Sequence, residues 1–431
     1  MKKLLDIFRN NVILKITSLN GVSVLLRALI GIVTSKLVAI YIGPQGMALL
    51  GNFRNFFSSV QTLSTLGLSN GVVKYVAELK SNIVEKTKFF ATLFFLGSIA
   101  SLVVGCVLYF GATYWNQYVF GASLDFRQLF QLLGILLPCY VVQMFLLSIV
   151  NGLSKYKTYI YINIIGNSLY GIAAVFLIVN YRLTGALFTI LMTPLLLLVV
   201  TLVLLGKEKF TFSIPKLNRV SVGYIKKLSA FALMALFSGL VFPQVMLQIR
   251  KHLISTIGEA EAGIWEGLQQ LSSHYLLFVT SLFTLYLLPK LSENQSDRGF
   301  KNIVLTFYKS ILPILAIGLV VIYFLRTYII TLLFSEDFLP MESLFIYQLL
   351  GDFLRIISLT LAYQLIAKKM LWKYLLTEGI SMLVIYSTSI YCVNSFGFVG
   401  VTQAHLLSYM LYLGMLVVVF RRVLFVEKED V

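Results

Sequence analysis

Positive charge with almost no accompanying acid recurs through the apolar parts of this sequence. Lys15, Arg27, Lys36, Arg54, Lys74, Arg250, Lys251, Lys309 and Arg355 lie within or at the ends of long hydrophobic stretches. A charged side chain at bilayer depth costs about 2.5–3.5 kcal/mol on insertion scales, so it faces a protein interior or a wet cavity and marks a path for ions or substrate. Cations placed this way point to an anionic cargo. Arg27 and Arg54 are the strongest of the set. Lys36, Lys74 and Lys251 fall near helix ends, where long basic side chains also snorkel to headgroups. Arg250, near the end of its helix, extends the basic surface from the second half of the chain.

The cations keep polar company at helical spacing. Thr17, Asn20, Ser23, Arg27 and Thr34 share one helical face; Arg54, Ser58, Gln61, Thr65 and Ser69 share another, widened by Asn52, Asn55, Thr62 and Asn70. A single hydroxyl or amide serves as interhelical glue, whereas a set this dense around a mid-span Arg favours a hydrated cavity. Three acids also fall in apolar segments: Glu266, Asp352 and Glu378. Asp352 and Arg355 are i,i+3 neighbours and are expected to neutralise one another. Glu378 has no partner nearby in sequence, so it pairs with a cation from another helix or takes up a proton. His252, His274 and His405 are scattered, which suits hydrogen-bonded structure. No Gly-rich phosphate loop, metal-ligand cluster or nucleophile elbow is present, so no catalytic residue, metal or cofactor is expected. Cys106, Cys139 and Cys392 read as small core hydrophobes.

Membrane helices must position these side chains. The 431 residues are 58% hydrophobic and 12% charged, with a mean hydropathy of +0.88. At about 20 residues per crossing, this length allows about a dozen spans. The apolar runs place them at 12–42, 45–78, 88–110, 128–152, 158–180, 185–206, 228–256, 261–289, 301–325, 342–366, 373–394 and 400–420. Pro138, Pro194, Pro243 and Pro313 fall inside and are expected to kink their helices. Lys15 and Arg27 interrupt what would be the apolar core of a signal peptide, so the first helix is expected to stay.

Outside the nine interior cations, 23 Lys and Arg fall on one side of this map, from Lys2 through Lys155 and Lys226 to Lys428, against Arg127, Arg182 and Arg326 on the other. Positive residues are retained in short cytoplasmic loops, so both termini are expected in the cytoplasm. The net charge of +17 is then topology plus cavity. It does not imply a nucleic-acid partner.

The two halves look related. Lys36 precedes Gly43 by seven residues and Lys251 precedes Gly258 by seven, and each Gly-bearing turn leads into a polar-rich helix. This predicts two parallel six-helix lobes, 1–206 and 228–431, joined by a basic cytoplasmic connection at 207–227. Transporters carry their sites between such repeats.

Several segments, in order along the chain, resemble the Wzx flippases of the polysaccharide transporter family, within the MOP superfamily. They are Ile42-Gly43-Pro44-Gln45-Gly46, Asn52-Phe53-Arg54, Asn70-Gly71-Val72-Val73-Lys74-Tyr75-Val76, Gly263-Ile264-Trp265-Glu266-Gly267, Tyr286-Leu287-Leu288-Pro289, Gln348-Leu349-Leu350-Gly351-Asp352 and Ile366-Ala367-Lys368. The likeness is greatest to the branch that flips lipid III, the lipid intermediate of enterobacterial common antigen. The resemblance implies an all-α protein of the bacterial inner membrane, with two six-helix lobes around a cationic cavity and alternating access. It implies an undecaprenyl-pyrophosphate-linked oligosaccharide as substrate, O-antigen-like or lipid III-like, the phospholipid bilayer as surroundings, and polysaccharide polymerase and chain-length machinery as partners. Substrate-binding positions would be Arg27, Lys36, Arg54, Lys74, Arg250 and Lys251. Asp352, Arg355, Glu378 and Glu266 would be coupling or structural polar positions. One departure is Leu271-Ser272-Ser273-His274, where relatives carry an acid, which puts any acid-dependent step there in doubt.

Two other readings share some of these features. A cation-coupled drug exporter of the same superfamily would share the fold, but Arg27, Arg54 and Arg250 would repel organic cations. A membrane glycan polymerase or ligase would handle the same lipid-linked sugar but would be expected to show a sizeable periplasmic loop with catalytic polar residues.

Overall fold

A lipid-exposed backbone must satisfy every N–H and C=O internally, and an apolar stretch does so most simply as a helix. The computed structural model describes residues 12–79, 82–207, 217–294, 296–368 and 370–425, with no strand among them. The helices are α1 (Val12–Tyr41), α2 (Gly43–Thr65), α3 (Ser69–Glu78), α4 (Ile83–Phe110), α5 (Ala112–Phe120), α6 (Arg127–Gly152), α7 (Tyr156–Lys207), α8 (Val222–Thr256) and α9 (Glu259–Leu282). They continue with α10 (Leu288–Glu293), α11 (Asp297–Phe324), α12 (Arg326–Leu333), α13 (Phe345–Ala367), α14 (Leu371–Phe396) and α15 (Gly400–Phe425). Lys2, Lys3, Arg9, Lys80, Lys209, Lys216, Lys369 and Lys428 lie outside the described residues, as do 208–216 of the expected connection.

Among the described residues, seven stretches are long and apolar enough to cross a membrane: Ser23–Tyr41, Ile83–Phe110, Arg127–Gly152, Tyr156–Lys207, Asp297–Phe324, Glu336–Ala367 and Leu371–Val423. Two of them, of 52 and 53 residues, exceed twice the length of one crossing. The first turns back at Arg182, whose φ is 49°, and the second at the short Gly397–Val399 turn. The chain is an all-α integral membrane protein. Helices α2, α8 and α9 carry much of the polar and charged character noted above.

Each of the twelve expected stretches is helical, with one correction. The 45–78 helix is broken into α2 and α3 at Leu66 and Gly67, whose φ values are 51° and 61°. The Gly67 N–H closes back on the Thr62 carbonyl at 3.0 Å, as in a left-handed helix stop. A Cβ at Gly67 would lie 2.4 Å from that of Ala235 on α8, so glycine is required there by packing as well as by φ. The 261–289 stretch contains a π-turn at Phe283–Leu287, just before Pro289, whose missing N–H interrupts the α-helical ladder.

By internal packing the chain falls into two compact units, Met1–Tyr41 with Asn52–Pro243, and Ile42–Gly51 with Gln244–Val431. In the first, α4 and α6 meet backbone to backbone: a Cβ on Gly105 would sit 2.6 Å from the Gly134 carbonyl oxygen, and one on Gly134 would sit 2.5 Å from that of Gly105. Gly97 and buried Ser101 continue the small-residue stripe at i,i+4 spacing, the pattern that lets helices approach closely in lipid. In the second, Gly263 and Gly267 on α9 receive Pro44 and Met47 from the start of α2.

Candidate functional site

The first unit presents its cations on separate faces. On α1, Arg27 is exposed, while Ser23 and Thr34 of its stripe are buried and Thr34 bonds back to its own helix. The side chains of Lys15, Thr17 and Asn20 lie outside the described residues. Leu25, Leu29, Val33 and Ile40 are exposed too. At about 100° per residue they point to the side of α1 opposite Arg27. Lys36 falls on their side, about 180° from Arg27. The two therefore do not form one basic stripe, and Lys36 stands where a snorkelling lysine would. On α2, half-buried Arg54 and Gln61 flank exposed Ser58 along one face. Phe53, Phe56, Phe57 and Val60 fill the opposite face, with Phe53 stacked at 6.0 Å on Phe57 and on Phe120. The polar stripe thus has a rigid aromatic backing. Lys74 on α3 pairs with Glu78 at 3.8 Å and lies over the Tyr75 ring.

Arg250 requires a correction. It is 3% exposed, and its Nη2 donates to Glu266 Oε2 on α9 in a buried ion pair. Gln270 donates to the other carboxylate oxygen at 3.1 Å, and the guanidinium lies 5.5 Å from the Trp265 ring centre. The expected open anion site is closed around Glu266, because an unpaired buried guanidinium would cost several kcal/mol. Lys251, the next residue, is half-buried.

Asp352 and Arg355 do interact electrostatically, as expected, and the carboxylate has further partners. Fully buried, it accepts from Ser272 (2.6 Å) and Tyr275 (2.5 Å) on α9, and from Gln348 (3.2 Å) one turn earlier on α13. His405 on α15 lies 3.1 Å from its other oxygen. The Arg355 guanidinium also lies over the Tyr409 ring, 6.0 Å from its centre. A Cβ on Gly351 would sit 2.3 Å from the His405 ring, so glycine there opens the path for the imidazole. Tyr409 packs edge-on against His405, and neighbouring Tyr412 donates to Glu378 at 2.6 Å. Glu378 is thus held by a phenol among the described residues. The Ser272 segment, read as lacking its acid, supplies a hydroxyl to an acid from another helix. Sequence reasoning missed Ser272, Tyr275 and Tyr412 as partners; Gln348, at i−4 from Asp352, was legible.

Residues 13–295 match the family described as polysaccharide biosynthesis protein. The chain belongs to that family. This polysaccharide biosynthesis protein is similar to the lipid III flippases of Escherichia coli (strain K12) and Shigella flexneri, each 30% identical over 396 residues, covering 90% of this chain and 94% of the relative. It is also similar to the structure of an inward-facing multidrug resistance MATE family transporter of the MOP superfamily: TM-score 0.75, 13% identity, 94% of this chain and 100% of that one. Another similar structure is the lipid II flippase MurJ in an inward closed conformation: TM-score 0.70, 18% identity, 93% and 87% coverage. At these identities the solved structures establish the fold, that of the MOP transporters.

Proposed function

We propose that this polysaccharide biosynthesis protein is a flippase that carries an undecaprenyl-pyrophosphate-linked oligosaccharide from the cytoplasmic to the periplasmic leaflet by alternating access. It is a transporter and not an enzyme, so the glycan leaves chemically unaltered. The observation that carries the reading is likeness to lipid III flippases across nearly the full length of both chains. The exposed Arg27, on the side of α1 away from its exposed leucines, supports it. Arg27 and Arg54 are the pyrophosphate ligands in this reading, with Lys74 and Lys251 as auxiliary cations, whereas Lys36, on the opposite side of α1 from Arg27, serves the headgroup region. At an effective dielectric of 20 a unit pair 4 Å apart gains about 4 kcal/mol, so two cations brought onto the pyrophosphate during transport offset much of the headgroup's desolvation. Arg250 and Glu266 are structural. Asp352 and Glu378, with Arg355 beside them, are the candidates for coupling to an ion gradient.

The inner membrane, cytoplasmic termini and the lobes 1–206 and 228–431 joined by 207–227 belong to the same proposal. So does delivery to polysaccharide polymerase and chain-length machinery. Depletion of the protein tests it: intact lipid-linked repeat units should accumulate on the cytoplasmic face while surface polysaccharide is lost. Accumulation of repeat units already exposed to the periplasm would contradict it.

A further inference from the structure

The neighbouring ends of α4, α6 and the second limb of α7 enclose a cleft of about 580 Å³, lined by none of the residues assigned above. That volume is in the range of small-molecule sites. Tyr109, Phe110 and Phe188 contribute aromatic surface, whereas Asp125, Arg127 and Gln131 contribute polar groups. Phe110 is 84% exposed, so this aromatic surface is open.

The polar side is held in place from behind. Buried Asn116 on α5 donates to the Leu124 carbonyl at 2.6 Å and accepts from the Phe126 N–H at 2.8 Å. The Phe126 ring packs on Phe120 at 5.0 Å. With 124–126 fixed, Arg127 forks onto Asp125, Nη2 to Oδ2 at 2.7 Å and Nε to Oδ1 at 2.9 Å. This hydrogen bonding holds the Asp125 carboxyl below its usual value and keeps it ionised. The Arg127 backbone N–H and Nε also reach Asp125, so its carboxylate is fully engaged, while guanidinium donors are left over beside the Gln131 amide, which offers both a donor and an acceptor.

Adjacent donors and acceptors beside aromatic faces match a pyranose ring, whose vicinal hydroxyls donate and accept while its C–H face is apolar. A phosphate would meet one cation that is already neutralised. An apolar ligand would desolvate the ion pair without compensation. We propose that this cleft is a sugar subsite that receives the glycan of the lipid-linked oligosaccharide as it is delivered outside. The proposal rests on the flippase reading and on the Lys/Arg asymmetry, which puts the 110–127 and 182–188 ends outside.

The test is saturation-transfer NMR on the full-length protein in nanodiscs, probed with methyl glycosides of glucose, galactose, N-acetylglucosamine and glucuronic acid. At least one should bind, with affinity reduced tenfold or more by Tyr109→Ala and by Arg127→Ala, and nearly unchanged by Tyr109→Phe. The absence of binding by all four, or binding that survives both alanine variants, overturns the subsite. So does loss of co-purified phospholipid in those variants without any glycoside signal, which would mark a headgroup site. Parallel vesicle assays separate the two claims. Flipping without glycoside binding overturns the subsite alone, whereas glycoside binding without flipping overturns the transport reading and leaves a sugar site.

Discussion

Glu266 occupies the space that a side chain at Gly51 would need: a Cβ at Gly51 would lie 2.6 Å from the Glu266 carboxyl carbon and 2.8 Å from Arg250 Cζ. The glycine at the eighth residue from the Pro44 turn therefore lets α2 lie against a buried ion pair. Gly51→Val should lower the thermal unfolding midpoint of the detergent-solubilised protein and its membrane abundance, while Gly318→Ala, where a Cβ would meet nothing within 4 Å, should change neither comparably. An unchanged midpoint for Gly51→Val would mean that the pair is not packed against α2.

The pair itself should behave as a buried one. Breaking it by Arg250→Met or Glu266→Leu alone should cost about 3–5 kcal/mol, because one charge is stranded. The double variant should recover most of that loss, read as unfolding midpoints in a double-mutant cycle. Full transport by the folded double variant would support a structural pair. If Arg250 bound the cargo directly, the double variant would fold and fail to transport.

Asp352 and His405 give a separate prediction. Asp352→Asn keeps the shape but removes the charge that Ser272, Tyr275 and His405 surround. It should abolish the response of transport to an imposed proton or sodium gradient while leaving the protein folded. Gly351→Ala, which drives a methyl into the His405 ring, should have the same effect with Asp352 intact, at some cost in membrane abundance because the ring must shift. A gradient response that persists in both variants would remove this network from coupling.

The sequence revealed elements better than partners. Apolar length located the twelve long stretches, because a bilayer imposes one secondary structure on an apolar run, but not the short helices Ala112–Phe120 and Arg326–Leu333, which fall where loops were expected. Polar patterning did not show the break at Leu66, since the steps of three and four through Ser58, Gln61 and Thr65 run straight into Ser69 without registering the reversal of φ. Asp352 was assigned to Arg355 because only local neighbours can be read from spacing. Beside the local Gln348 and Arg355, it has partners 80, 77 and 53 positions away, on α9 and α15, which spacing cannot show. Arg250 and Glu266 are separated by the turn at Gly258, where φ is +152°, so helical periodicity cannot carry one to the other. Arg27 was legible because a cation in mid-span is costly wherever it points.

Topology can be checked independently. In a background with Cys106, Cys139 and Cys392 replaced, Ser123→Cys should react with an impermeant thiol reagent added to intact cells, whereas Lys226→Cys should react only after lysis. The reverse pattern would invert the map and place the aromatic cleft in the cytoplasm.

The most direct measurement of the central claim is flipping by the purified protein in proteoliposomes loaded with the native lipid-linked oligosaccharide. An externally added glycosidase reports how much protected glycan becomes accessible. Wild type should expose it with the glycan unaltered, and Arg27→Ala should slow exposure about tenfold or more, the loss of one charge-assisted hydrogen bond of about 1.5–3 kcal/mol. Arg27→Lys should retain part of the rate, because charge survives without the planar fork. Exposure by Arg27→Ala at the wild-type rate would contradict the account, as would a wild-type protein that leaves the glycan protected while expelling an organic cation.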